Sequence, residues 1–120
     1  MRKCTLSSVA HDDILSILTW TQKEHGESAR VRYEMLIAQG IIDIANSPTR
    51  AGVPKRDDLA QNAYTYHLWH SRDNVDKLSE KVKKPRHILL FRIIDNSVEI
   101  ARVLHDSMDL ERHIPSEFDS

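Results

Sequence analysis

The sequence predicts an α+β fold in which a two-helix antiparallel hairpin packs on a small antiparallel sheet, in the order β-α-α-β-β-β. Two consecutive stretches carry apolar residues at helical spacing and are separated by a glycine. Three later runs are short and rich in β-branched and aromatic residues, which is typical of strands. Because the chain has 120 residues, we expect a single domain spanning residues 1–120.

The hairpin is predicted from its apolar spacing and its end signals. A short strand is possible at "RKCTLS", and a first helix then runs to Glu24 with Ser8 as a suitable N-cap. Its apolar face consists of Ala10, Ile14, Ile17, Leu18 and Thr21. Gly26 ends this helix, and a longer one begins at Glu27 and continues until Asn46, Ser47 and Pro48 stop it. A tight glycine turn between two apolar stripes indicates antiparallel helices.

The second half of the chain is predicted to form the sheet. A polar loop, "TRAGVPKRDDLAQN", separates it from the helices. The predicted strands are "YTYHLWH" from Tyr64, "HILLFRII" from His87 and "SVEIARVL" from Ser97. Asp95 and Asn96 form a compact turn pair, so the last two strands should make a hairpin. The charged insert "SRDNVDKLSEKVKKP", residues 71–85, fits either a loop or a short helix.

Composition and charge narrow the function classes. The apolar fraction is 40%, and the charged fraction of 29% with 3 Gly and 4 Pro is that of a folded globular protein. A net charge of -1 argues against sequence-specific nucleic-acid binding by this chain alone. A local basic patch nevertheless lies in "KLSEKVKKPRH". The residues after Met1 form no signal-peptide core, and no apolar run could cross a bilayer, so we expect a cytoplasmic protein without a membrane partner.

The sequence offers no recognisable cofactor or metal site. His67 and His70 are three residues apart in "HLWH", and on a strand this spacing points two side chains to opposite faces. No Gly-x-Ser-x-Gly turn marks a nucleophile, and the three glycines are too scattered for a phosphate-binding loop. Cys4 is a lone thiol to which we assign no role. We therefore expect neither metal nor cofactor.

A metal-free ribonuclease remains open, because it needs only acid/base groups and cations to stabilise a crowded phosphate. Arg92, Arg102 and His105 lie in or just after predicted strands, so they could meet on an open sheet face. The alternative is structural, since strand arginines often pair with acids such as Glu99. We favour the structural interpretation.

Several stretches together resemble the ParE branch of the ParE/RelE superfamily of toxin-antitoxin toxins. They are "LSSVAHDDILSILTWTQKEHGESARVRYEMLIAQGIIDIANSP", "PRHILLFRI" and "EIARVLHDSMDLERHIP". The helical stretches alone are weak evidence, because any helical hairpin has such a pattern. The "RVLH…MD…RH" ending is the specific part of the resemblance.

The resemblance implies a toxin that inhibits DNA gyrase and is neutralised by a ParD-like antitoxin. The alternative is a RelE-like endoribonuclease that cuts messenger RNA on the ribosome. This chain departs from the RelE pattern because it is not basic overall and lacks a basic, tyrosine-ending tail. The residues expected to contact the target or partner are Lys83, Lys84, Arg86, Arg102, His105, Met108, Asp109 and Arg112.

The aromatic content also suggests a partner. Aromatic residues exceed what one small core easily hides, so we expect some of them to be covered by an antitoxin tail that orders on binding. The residues in question are Trp20, Tyr64, Tyr66, Trp69 and Phe118.

Overall fold

The computed structural model describes residues 2–50, 52–75 and 81–114. Its helices and strands are β1 (Lys3–Leu6), α1 (Ser8–His25), α2 (Glu27–Asn46), β2 (Ala63–His67), β3 (His87–Ile94) and β4 (Ser97–His105). Two 3₁₀ turns follow β2 and β4, at Leu68–Ser71 and Leu110–His113. The predicted α+β class and the β-α-α-β-β-β order are both confirmed.

The start of α1 is anchored to the sheet by its capping residue. Ser7, rather than the predicted Ser8, is the N-cap: its hydroxyl accepts a hydrogen bond from the amide of Ala10 at 2.9 Å. The same hydroxyl donates to the carbonyl of Ala101 in β4 at 2.8 Å. This second bond is a tertiary contact, which explains why local sequence placed the cap one residue late. Gly26 has φ 94°, a conformation that favours glycine, and joins the two helices.

The sheet has the strand order β1-β4-β3-β2 and is mixed. Strands β2, β3 and β4 are antiparallel, as predicted, whereas β1 pairs parallel with β4. The expectation of a wholly antiparallel sheet is therefore wrong at this edge. The reason is that β1 leads directly into the α1–α2 hairpin, which covers one face, and the chain crosses to the far edge before it returns through β3 to β4.

The first predicted strand ends earlier than its composition suggested. It stops at His67, and "LWHS" forms a 3₁₀ turn instead. Leu68 in this turn is fully buried against α2, where a Cβ added at Gly40 would lie 2.6 Å from Leu68 Cδ2. Packing against a helix glycine thus overrides the strand propensity of these residues.

The main core lies between the helical hairpin and the sheet. Its largest fully buried members include Leu36, Ile44, Tyr66, Phe91 and Ile100. A smaller apolar cluster covers part of the opposite sheet face, and it consists of Ala60, Ala63, Leu90 and Ala101 with Leu59 and Ile114 packed against them. The second face is therefore partly covered by the loop before β2 and by the segment after β4.

Two further expectations concern connections. The β3–β4 hairpin is confirmed, and Asp95 at its turn has φ 54°. In the insert, residues 72–75 form turns and residues 81–86 have no regular structure, while residues 76–80 lie outside the described part. Among the described helices, none combines the length and apolar character that a membrane crossing needs.

Candidate partner-binding site

A groove of about 700 Å³ lies between the helical hairpin, the segment 81–86 and the ends of β3 and β4. Its lining is Ser16, Ile17, Trp20, Thr21, His25, Ala29, Arg32, Tyr33, Lys81, Val82, Lys83, Lys84, Arg86, His87 and His105. Five of these residues are lysine or arginine, and none of the lining residues described carries a carboxylate. The groove therefore presents apolar surface with a positive rim.

One wall of the groove comes from α1. Ile17 and Thr21 are one turn apart, and the Thr21 hydroxyl donates to the Ile17 carbonyl at 2.7 Å, which satisfies the one polar group of that buried side chain. Trp20 is 58% exposed although it is large and apolar. Its ring makes an edge contact with that of His25, with centroids 5.6 Å apart. This wall offers an aromatic surface that the fold leaves uncovered.

The floor of the groove is a polar pair made of a buried tyrosine and a half-buried histidine. The Tyr33 hydroxyl lies 2.5 Å from Nδ1 of His87, and it also accepts a hydrogen bond from the amide of Arg86 at 3.3 Å. Because the hydroxyl accepts from that amide, its own proton is available to Nδ1. Burial raises the pKa of Tyr33 to about 12 and lowers the pKa of His87 to about 4. Both side chains are therefore neutral at pH 7.

His87 is also in contact with the last strand. Its ring meets the ring of His105, its register partner in β4, edge to face at 5.3 Å between centroids. His105 contributes to the lowered pKa of His87, after burial, because a second positive charge nearby is unfavourable. Nδ1 of His105 is hydrogen-bonded with Ser107 at 2.7 Å. The two histidines thus form one surface at the end of the groove.

Asp106 links the ends of three strands beside this surface. Its carboxylate accepts hydrogen bonds from Nε and Nη2 of Arg86 at 2.8 to 3.0 Å. It also lies 3.0 Å from Nε2 of His67 at the end of β2. The hydrogen bonds from Arg86 hold the pKa of Asp106 far below its usual range. Asp106 is therefore ionised at neutral pH and fixes Arg86 at the rim.

Four of the residues predicted for partner contact come together in this groove. Lys83, Lys84, Arg86 and His105 all line it. Lys83 and Lys84 are exposed, and no ion pair involves either of them among the described residues. Their charges are available to a bound molecule.

The other predicted residues lie elsewhere. Met108 is exposed in the turn after β4, and Asp109 is the N-cap of the second 3₁₀ turn, accepting from the amide of Glu111 at 3.2 Å. Arg112 lies 3.4 Å from Asp109 and is 83% exposed. None of these residues lines the groove.

The three residues considered for ribonuclease chemistry do not converge. Arg92 bonds to Glu99 at 2.9 Å, its register partner on the neighbouring strand. Arg102 bonds to Asp13 at 2.8 and 3.0 Å and to the carbonyl of His113 at 3.3 Å. Arg92 is held at Glu99, and six residues of extended strand, about 20 Å, separate Glu99 from His105 along β4. The structure thus places the arginines in ion pairs at separate positions.

Sequence reasoning did not single out Tyr33, His67, His87 and Asp106 as site residues. Tyr33 belongs to the apolar stripe of α2, so it was indistinguishable from ordinary core. Asp106 directly follows β4 and precedes Ser107, a position typical of a turn. Strand register was the signal in the sequence that could have indicated this cluster. A hairpin that starts at His87 and ends near His105 pairs those two histidines, and a third histidine, His67, ends β2.

Metal ligation has no visible basis in this cluster. Across residues 2–50, 52–75 and 81–114, no three side chains of the His, Cys, Asp or Glu type are placed to hold one ion. His87 directs Nδ1 to Tyr33, and His67 directs Nε2 to Asp106. Both ring nitrogens are thus engaged in hydrogen bonds within the protein.

The fold and the groove define a small α+β protein with an apolar groove that has lysine and arginine at its rim. The family model described as "ParE toxin of type II toxin-antitoxin system, parDE" matches residues 5–110. The chain therefore belongs to the ParE toxin family of type II toxin-antitoxin systems. The resemblance to the ParE branch of the superfamily is confirmed.

Structural comparison agrees with this assignment. A solved structure of the "Chromosomal ParDE TA system from P. aeruginosa" matches with a TM-score of 0.60, covering 88% of this chain and 96% of that one. The sequence identity is 13%, so this likeness concerns the fold. A sequence search of curated proteins gives no significant match.

Proposed function

We propose that this ParE toxin acts in the cytoplasm as a protein inhibitor of DNA gyrase and that a ParD-like antitoxin neutralises it. One observation favours an inhibitor over a ribonuclease. Both arginines considered for ribonuclease catalysis are engaged in ion pairs, Arg92 with Glu99 and Arg102 with Asp13. A general acid/base site needs its groups within hydrogen-bond reach of one reacting centre. An inhibitor needs only a complementary surface.

The groove supports the antitoxin half of the proposal. An amphipathic segment can lay its apolar side along the Ile17 and Trp20 wall while acidic residues reach Lys83, Lys84 and Arg32 at the rim. A chain that orders on binding can cover a large surface of this kind, although ordering costs entropy. The expected antitoxin segment is therefore acidic and amphipathic. Burial changes one expectation: Tyr66 is fully buried and Tyr64 stacks on Phe91, so Trp20 is the aromatic residue exposed in this groove.

Trp69 is also exposed, and Phe118 lies outside the described residues.

The genetic test of the antitoxin is direct: a small open reading frame should lie beside this one, and its product should copurify with the toxin. Absence of such a frame, together with toxicity that no neighbouring product relieves, would contradict the proposal.

The decisive experiment compares the two targets. Purified toxin should inhibit plasmid supercoiling by purified gyrase without ribosomes, and it should leave messenger RNA intact on translating ribosomes. Alanine substitutions at Lys83, Lys84 and His105 should reduce inhibition in graded steps of about 1 to 4 kcal/mol at a few anchors and little elsewhere. A single substitution that lowers RNA cleavage by roughly 100-fold without weakening ribosome binding would instead indicate acid/base catalysis. RNA cleavage with unaffected gyrase would establish the RelE-like alternative.

A further inference from the structure

A second exposed aromatic site lies on the 3₁₀ turn after β2. Trp69 is 44% exposed there, and the guanidinium carbon of Arg72 lies 3.2 Å from the centroid of its indole ring. Nη1 of Arg72 also donates to the carbonyl of Trp69 at 3.0 Å, which fixes the arginine over the ring. A stacked arginine–tryptophan pair on the surface is a preformed platform for another flat, electron-rich group.

Two arginines and two aspartates surround this platform. Burial lowers the pKa of the neighbouring His70, and so do the charges of His67, Arg50 and Arg72. Two acids also lie close, and each already has its own partners. Asp43 accepts from the Ser71 hydroxyl at 2.5 Å and from Asn74 at 2.9 Å, with Arg50 at 3.8 Å. Asp73 binds Lys81 at 3.0 Å and also lies 4.0 Å from Nη2 of Arg72, at the edge of the platform.

The 3₁₀ turn that carries the platform is held in place by contacts with other parts of the fold. Ser71 is fully buried, and its hydroxyl lies 2.7 Å from that of Tyr66 in addition to its bond with Asp43 of α2. The ring of His70 packs so closely under Gly52 that a Cβ there would lie 2.9 Å from Nε2. The turn is thus connected to α2, to β2 and to the preceding loop, and little ordering is needed before a ligand binds.

We infer that the surface formed by Arg50, Trp69, His70 and Arg72 binds single-stranded DNA without sequence preference. Proteins that bind single strands combine cationic groups for the phosphates with aromatic rings on which bases stack. Here Arg50 and Arg72 supply fixed charge, and the Trp69–Arg72 stack supplies the flat surface. A single strand carries a phosphate and a flat base in every nucleotide, whereas an acidic peptide matches the stack only where it also carries an aromatic side chain. That the strand belongs to the DNA held by gyrase rests on the proposed function.

This surface is separate from the groove. None of its four residues lines the groove, and the two surfaces adjoin where Lys81 of the groove binds Asp73 beside Arg72. Antitoxin and DNA should therefore bind at the same time. The net charge of -1 is compatible with this, since the binding is local and its strength should fall with salt.

The test uses fluorescence anisotropy of a labelled oligothymidine of about 20 nucleotides with purified toxin, at low and moderate salt. Trp69→Ala and Arg72→Ala should each weaken binding about tenfold, as expected when one stacked base is lost. Arg72→Lys keeps the charge and loses the planar group, so it should fall between Arg72→Ala and the unaltered chain. Trp20→Ala is the matched control on the groove and should bind like the unaltered chain.

Four outcomes would overturn the inference. They are equal binding by Trp69→Ala and the unaltered chain, equal or tighter binding of polyglutamate, a clear preference for oligouridine over oligothymidine, and stronger binding to blunt duplex than to single strands. Melting temperatures identify variants that fail to fold, and Arg72→Lys retains the charge if Arg72→Ala is unstable. Because gyrase is absent from this assay, failure here leaves the supercoiling result standing, and loss of gyrase inhibition leaves DNA binding standing.

Discussion

Asp13 of α1 and Arg102 of β4, 89 residues apart in sequence, form a two-pronged ion pair with distances of 2.8 and 3.0 Å. The same carboxylate accepts the backbone amide of Val103 at 3.0 Å, and Arg102 also donates to the carbonyl of His113. Strand β1 pairs with β4 only as far as Ile100. Asp13 therefore provides a hydrogen-bond acceptor for the backbone amide of Val103 at the edge of β4, beyond the point where pairing with β1 ends.

This arrangement predicts that Arg102→Ala destabilises the fold by about 2 kcal/mol, because it leaves a mostly buried carboxylate without its cation. Urea denaturation measures the loss. Asp13→Ala should cost a similar amount, and the double variant should cost clearly less than the sum of the two. Arg112→Ala is the control: that side chain is 83% exposed, and its removal should cost under about 0.5 kcal/mol. Additive costs would show that the pair contributes no coupling.

Some features of this fold follow from local sequence, and others depend on contacts between distant residues. Apolar spacing, turn residues and strand propensity are local, and they predicted α2, β3 and the β3–β4 turn. The cap at Ser7, the parallel β1–β4 pair and the end of β2 depend on long-range contacts. The groove assembles α1, α2 and the insert, so it needed the tertiary fold. Only its basic cluster was visible in the sequence.

The half-buried His87 predicts a loss of stability in mild acid. Its pKa is about 4 in the folded protein and 6.5 ordinarily, so between these values the unfolded chain binds a proton that the folded chain does not. The stabilisation that comes from keeping His87 neutral is complete above about pH 6.5, and it is lost as the pH falls through about 4. We expect it to be about 2 kcal/mol, from urea denaturation at pH 7 and pH 4.5. His87→Gln should reduce this difference, whereas a substitution at the exposed His11 should not. Equal pH dependence in all three proteins would contradict the assignment.

Lys83 and Lys84 are predicted to contribute to antitoxin affinity. Replacing both with glutamate reverses two unpaired charges at the rim and should weaken the complex at least tenfold, with the largest effect at low salt. Lys23→Glu changes charge on α1 at a position that does not line the groove, and it should have a much smaller effect. Isothermal titration against the antitoxin, or against its acidic segment, measures both. A similar loss from the control would indicate long-range charge rather than groove contact.

Gly40 is predicted to resist substitution even though it lies inside α2. Alanine normally stabilises a helix by about 1 kcal/mol relative to glycine, but here its methyl group would lie 2.6 Å from the fully buried Cδ2 of Leu68. Overpacking should exceed that gain and leave Gly40→Ala about 1 to 2 kcal/mol less stable, by thermal or urea denaturation. Adding Leu68→Val should recover part of the loss. A stabilised Gly40→Ala protein would show that the 3₁₀ turn moves easily.

Asp109 tests whether the C-terminal cluster serves the fold or the target. Its side chain caps the second 3₁₀ turn through the amide of Glu111, and its ion pair with Arg112 joins two exposed groups at 3.4 Å. Exposed pairs contribute little, so Asp109→Ala should lower the free energy of unfolding by no more than about 1 kcal/mol. Gyrase inhibition should then be measured at a temperature where the variant is fully folded. A folded variant without inhibition assigns Asp109 to the target surface, and Asp109→Asn, which keeps the cap oxygen, should then be defective too. A variant whose melting temperature falls by more than about 10 °C would assign it to the fold.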